Sequence, residues 1–182
     1  MGQVPTRGGE MRKVLGLVCA FLFVAGFAFA KDYATKGALE FGVSEQYGDV
    51  ITNLTPEVHY FVADNISLGG RLSDYNYTRT QGERSTTEYL LNPRYVADSE
   101  GDIYPFGGLL IGISKDTDNG DETSGTEFGI EAGIKVKVTA SGMLNIGLQY
   151  LTASGTEKEQ GYPDADYNTS NVNIRVGFTL YR

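Results

Sequence analysis

Ionisable side chains fall on the polar positions of several alternating stretches of this chain, and they are the first residues to weigh for chemistry. Glu57 and His59 are two apart, as are Lys135 and Lys137, with Glu131 four before Lys135. Glu40, Arg71, Glu88, Arg94 and Arg175 each sit in a similar alternation with apolar neighbours. A carboxylate beside a guanidinium, shielded from water, forms a strong charge-assisted pair. His59, the only histidine, would act as a base only beside a nucleophile, and no His-x-Ser pair exists. It reads instead as a satisfied interior histidine. One histidine and one cysteine, Cys19, supply no transition-metal ligand set.

Those charges need elements that turn them all one way. From Asn171 to Arg182, every second residue between Val172 and Leu180 is apolar, while Asn173, Arg175, Gly177 and Thr179 stand between them. A period of two is a strand with one greasy and one wet face. Seven more stretches repeat it, at about 37–46, 52–62, 66–77, 87–97, 103–114, 127–138 and 143–151. The fifth is apolar on both faces, and only Gly108, Gly112 and Ser114 favour one assignment. Connections 63–65, 98–101 and 139–142 are short, as is the turn at Tyr47-Gly48-Asp49. Stretches 78–86, 115–126 and 152–169 are expected to be long polar loops. Pro56, Pro93 and Pro105 each delete a ladder hydrogen bond, so bulges are expected there.

The wet faces hold Glu40, Glu57, His59, Arg71, Glu88, Arg94, Glu131, Lys135, Lys137 and Arg175. The opposite faces carry almost no charge, Asp74 being the main exception. A cation facing lipid at midplane costs about 2–4 kcal/mol, so such faces suit a bilayer. The wet faces then point inward, and the buried charges must pair. A turn centred on Asp64 sets Glu57 opposite Arg71 and His59 opposite Gly69. An interior network of Glu40, Glu57, His59, Arg71, Arg94, Glu131, Lys135 and Arg175 is expected. Tyrosines near both ends of the strands suit two interfacial girdles: Tyr47, Tyr75, Tyr77, Tyr89 and Tyr150 at one, Tyr33, Tyr60, Tyr95, Tyr104 and Tyr181 at the other.

Residues 1–30 read as a leader. Met11-Arg12-Lys13 is a basic start, Val14–Phe27 is apolar, and Ala28-Phe29-Ala30 is a small-x-small cleavage site. Translation is expected to start at Met11. From Lys31 onward the chain has 12 basic and 22 acidic residues, a formal −10, and no cysteine. An acidic exported chain without a basic tract is not a nucleic-acid binder.

With this pattern, residues 31–182 resemble the small eight-stranded outer-membrane barrels of the OmpA, OmpX and OmpW type. The ending resembles their C-terminal assembly signal: Arg175, Gly177 and Leu180 fit, while Arg182 replaces the usual aromatic and Tyr181 is one place early. The resemblance implies an all-β, antiparallel up-and-down transmembrane barrel, monomeric and without cofactor or bound metal. Its partners would be outer-membrane lipid, lipopolysaccharide and, through the last strand, the barrel assembly machinery. Arg79 and Arg84 are candidates for lipopolysaccharide phosphates. The acidic run Lys115–Glu122 departs from a calcium loop because, counted from its first carboxylate Asp116, Gly120 stands at position five, not six.

The implied function is non-enzymatic: a plugged interior, with structural or surface contact through the loops. The alternative is a narrow pore or a conduit for small solutes or hydrophobic molecules, with Gly42, Gly69, Gly108, Gly133 and Gly147 as a small-residue constriction. A lipid-modifying barrel enzyme and a soluble lipocalin-like carrier are the remaining alternatives.

Overall fold

The computed structural model describes residues 33–47, 53–79, 82–99, 101–118, 121–157 and 165–182; the leader expected over 1–30 lies outside them. They form β1 (Leu39–Tyr47), β2 (Asn53–Ala63), β3 (Ile66–Arg79), β4 (Gly82–Val96), β5 (Ile103–Asp118), β6 (Asp121–Lys137), β7 (Gly142–Glu157) and β8 (Ala165–Tyr181). Each strand pairs antiparallel with the next, and β8 returns to β1 to close a barrel. Asn65 takes a left-handed conformation (φ 66°) in the β2–β3 turn, which a short polar side chain tolerates.

The apolar faces point out. Leu91, Ile113 and Leu148 are 60, 59 and 59% exposed, and Leu68, Ile111, Ile130, Ile146 and Ile174 join the same belt. Charged and amide side chains are buried instead. On β5 the small residues decide: Phe106, Leu110 and Ser114 are buried, and Leu109, Ile111 and Ile113 face out. Glu45 shares the outward parity of Phe41 and Val43 near the end of β1, a second charge on that face beside Asp74.

The long loops are shorter than expected. Three hairpins carry on as strands until only 80–81, 119–120 and 158–164 fall outside described structure. Arg79 ends β3 and Arg84 lies on β4, paired in register with Tyr77 and Asp118. Lys115–Asp118 and Asp121–Glu122 form facing arms of the β5–β6 hairpin, not a loop. Periodicity missed this because both faces there are wet, so apolar alternation stops while β-branched threonines keep the backbone extended. At ~3.3 Å per residue and ~40° tilt, the 17 residues of β6 rise ~43 Å, well past a ~25 Å apolar band.

Among the described residues, β8 pairs with β1 from Ile174 to Tyr181 and β3 with β2 from Ile66 to Arg71, with Thr55 Oγ1 of β2 still 3.2 Å from Ser73 Oγ of β3. Above those points β3–β8 go on pairing with one another.

The prolines are accommodated without the expected bulges. Among the described residues the recorded register irregularity lies between Phe61 and Ala63. Pro56 keeps register with Val43 on β1 and sits where the β2–β3 ladder stops. Pro105 pairs with Ile134 and sits where the β4–β5 ladder stops. Pro93 interrupts the β4–β5 ladder without a shift, since Leu91↔Ile111 and Arg94↔Gly108 share one register. Opposite Pro93, the Leu109 carbonyl accepts from Asn92 Nδ2 at 2.8 Å. That side chain supplies the donor proline lacks.

The tyrosine girdles need correction at one end. Tyr60, Tyr95, Tyr89 and Tyr150 face out, but Tyr33 and Tyr181 are buried inside the turn end, with Tyr104 against them. Ring centroids of Phe61, Tyr104 and Tyr181 lie 5.6, 5.1 and 5.0 Å from Tyr33. The segment before β1 brings Tyr33 there, anchored by Gly37 N to Phe61 O and Asn65 N to Ala34 O, both 2.7 Å. The side chains of Tyr47, Tyr75 and Tyr77 lie outside the described part.

Candidate functional site

The barrel interior gathers the charged side chains. Register sets Glu57 against Arg71 and His59 against Gly69. Arg71 Nε lies 3.6 Å from Glu57 Oε2, but its closer partner is Glu131, with Nη2 2.7 Å from Oε2. Arg94 spans three carboxylates: Nε donates to Glu131 Oε1 at 2.9 Å, Nη1 to Glu40 Oε1 at 3.2 Å, and Nη2 lies 3.5 Å from Glu57 Oε2. Arg175 donates from Nη1 to Glu131 and from Nη2 to Glu57, both at 3.1 Å. Lys135 Nζ donates to Glu40 Oε1. Three guanidiniums thus share Glu57 and Glu131, and Arg94 links that group to Glu40 and Lys135.

All seven of these groups are nearly fully buried. Removing them from water costs several kcal/mol per ion, and mutual pairing offsets that cost only because each carboxylate meets more than one cation. Arginine suits this role, since its planar fork donates in several directions at once.

Uncharged partners complete the network. Arg71 Nη1 donates to Gln149 Oε1 at 2.8 Å and Arg94 Nη2 to Asn92 Oδ1 at 2.9 Å. Tyr33 Oη donates to Glu40 Oε2 at 3.0 Å, and Arg175 Nη2 reaches Ser44 Oγ. Phe106 lies beside two cations, its centroid 4.8 Å from Arg94 Cζ and 5.6 Å from Lys135 Nζ, a favourable cation–π arrangement. Strand parity made Asn92 findable from Arg94 on β4 and Ser44 from Glu40 on β1, while Gln149 shares the wet face of β7 with Asn145. Phe106 and Tyr33 were not, because an aromatic inside a barrel reads like any apolar residue.

The glycines do not form a constriction; they are seats for larger side chains. A Cβ at Gly69 would lie 2.2 Å from His59 Nδ1, and one at Gly42 2.3 Å from Thr179. Phe106 Cζ lies 2.8 and 3.2 Å from the corresponding points at Gly133 and Gly147, and Asn92 and Glu131 crowd Gly108. The cavity among Ser44, Arg94, Phe106, Glu131, Lys135 and Arg175 measures about 10 Å³, about one water. On the turn side it is backed by Tyr33, Phe61, Val96, Met143 and Tyr181, and on the hairpin side by Leu90, Leu110 and Leu151.

His59 lies over Gly69, with Ser67 Oγ 3.3 Å from Nδ1. Among the described residues, one group has metal-ligand spacing: Glu40, Glu57 and His59 offer atoms within 4.8 Å of one another. Both carboxylates are already held by Arg94, Arg175 and Lys135. A cation entering there would meet the charge of those groups, so the donor set does not suit a metal. Arg79 and Arg84 sit high on the raised sheet, and their side chains lie outside the described part.

No family model and no curated protein matches the chain. Solved structures match it in fold. The outer membrane protein OprG from Pseudomonas aeruginosa superposes with a TM-score of 0.59 at 11% identity, over 83% of this chain and 99% of that one. AlkL, an outer membrane protein solved in lipid bilayers, gives 0.57 at 16%, over 85 and 94%. The N-terminal β-barrel domain of Pseudomonas aeruginosa OprF gives 0.56 at 12%, over 81 and 98%. The chain therefore has the fold of the small eight-stranded outer-membrane barrels.

Proposed function

We propose that this chain, with the fold of the small outer-membrane barrels, is a non-enzymatic integral outer-membrane protein that holds a raised sheet above the membrane. Residues 1–30 direct export and are removed. The β8 strand, with Arg175, Gly177 and Leu180, engages the assembly machinery before closing on β1. The mature barrel is a monomer, since closure leaves no strand edge within the apolar band.

The observation that carries this reading is the filled interior: seven interlocked charges around a cavity of about 10 Å³. A plugged barrel acts through what it presents. Here that is the extension of β3–β8 past the apolar band, whose hairpins stand above the membrane. Arg79 and Arg84, on β3 and β4 of that extension, are the residues we assign to lipopolysaccharide phosphates. Catalysis is disfavoured because His59 has Ser67 as its hydroxyl neighbour deep inside the wall, away from any substrate entry.

Expression of the complete chain in a Gram-negative host tests this. The expected result is recovery in the outer-membrane fraction, a mass lacking about thirty residues, and faster migration on an unboiled gel. Recovery as a soluble periplasmic protein with no heat-sensitive shift would overturn it.

A further inference from the structure

The ring that closes the turn end of the lumen belongs to no strand. Tyr33 stands ahead of β1, yet it is buried inside the barrel. Its neighbours come from all round the wall. Phe61 is on β2, Tyr104 on β5 and Tyr181 on β8, each edge-on or tilted to it. Its Oη donates to Glu40 on β1, and Lys135 on β6 places Nζ 5.9 Å from its ring centroid. In a closed barrel of eight strands, β1 and β5 stand on opposite walls. A side chain that meets β1, β2, β5, β6 and β8 therefore lies across the lumen, not against one wall. The backbone after it is clipped to the β2–β3 turn. Asn65 N donates to Ala34 O and Lys36 N to Asp64 Oδ1, both at 2.7 Å, and Gly37 N donates to Phe61 O. Ala34 is held left-handed at φ 60°, a conformation an alanine keeps only where its surroundings impose it.

We propose that residues 33–37 are a detachable stopper, with the Tyr33 ring as its plug, that seals the periplasmic mouth and shields the Glu40–Lys135 pair from water. The proposal rests on the outer-membrane reading, which puts the turn end in the periplasm. The clips lie at the rim, outside the register of β1 with β2 and β8, and both Lys36 and Asp64 are exposed. The segment can therefore leave while every ladder of the barrel stays intact. Release of the left-handed Ala34 offsets part of the cost of leaving. With the ring withdrawn, periplasmic water reaches Lys135, which is fully buried while the ring is seated. Leu90, Leu110 and Leu151 still close the hairpin side, so the lumen hydrates from one end without conducting. The stopper thus gives the charge network two states, one dry and one open to the periplasm.

Thiol labelling reads the stopper. Residues 31–182 contain no cysteine, so one introduced thiol is a clean reporter. Met143→Cys places it in the buried cluster that holds Tyr33, and Leu110→Cys places a control in the hairpin-side cluster. Each protein is purified from the outer membrane in detergent, checked for its heat-sensitive shift, and treated with a charged methanethiosulfonate. With Tyr33 in place, both thiols react slowly. Tyr33→Ser should speed labelling of Met143→Cys by about tenfold or more and leave Leu110→Cys unchanged. Tyr33→Phe keeps the ring and should stay within about twofold of the parent rate. Asp64→Ala removes an exposed clip and should also speed labelling of Met143→Cys, which serves where Tyr33→Ser does not fold. Parent-like labelling of Met143→Cys in whichever of these two variants folds, or equal acceleration of Leu110→Cys, would overturn the stopper. A sample with no heat-sensitive shift would instead contradict the membrane reading, and the stopper would fall with it.

Discussion

Glu131→Gln removes the carboxylate that three guanidiniums share. Arg71, Arg94 and Arg175 approach it at 2.7, 2.9 and 3.1 Å. The seven charges comprise four cations and three carboxylates, an excess of one positive charge. The substitution raises that excess to two inside a buried space. Breaking a buried pair by deleting one partner costs about 3–5 kcal/mol. Glutamine keeps the volume and one acceptor, so the loss should fall near the lower figure, about 3 kcal/mol. Urea unfolding in detergent micelles, followed by the fast-migrating fraction on unboiled gels, measures it. Arg175→Gln in the same background removes one stranded cation, so the double variant should recover about 1–3 kcal/mol relative to the sum of the singles. A loss under about 1 kcal/mol for Glu131→Gln, or strict additivity with Arg175→Gln, would refute the shared-carboxylate account.

Three further variants probe other parts of the barrel. Gly69→Ala drives a methyl into the His59 ring and should cost about 1–3 kcal/mol in the same unfolding assay; His59→Ala should relieve most of that, and additivity would contradict the seat. Asn92→Ala removes the donor to Leu109 O and an acceptor for two arginines, with an expected cost of about 1–3 kcal/mol. Adding Pro93→Ala restores a backbone N–H and should return part of that loss, where no recovery would sink the patch. Leu148→Arg, on the outward face, should destabilise the barrel in lipid vesicles by about 2–4 kcal/mol; a neutral effect would mean that this face meets water.

The architecture was legible because lipid imposes a rule on single residues. Uncharged alternation on one face and polar residues on the other mark a strand in a membrane barrel, and they marked seven of the eight here; β5, apolar on both faces, was placed only by its small residues. The pairing of Glu57 with Arg71 in register followed from one tight turn at Asp64. What stayed hidden has specific causes. Strand length beyond the bilayer was not legible, since water on both faces of 78–86 and 115–126 removes the alternation that defines a strand. Arg71's preference for Glu131 over Glu57 was not legible either. Neighbours across the lumen depend on shear and tilt, which place β3 and β6 opposite each other but leave no trace in local sequence. The glycines misled because an empty position and a seat for Phe106 or His59 look identical until the facing strand is known.

Bilayer conductance of the folded protein tests the central claim, a closed barrel with a filled lumen, most directly. The sample is first checked for its heat-sensitive shift. The account predicts a shifted, electrically silent barrel, because seven interlocked side chains leave a cavity of about 10 Å³. Discrete conductance steps that change in Arg71→Ala would contradict it, showing that the ion pairs part to open a water path.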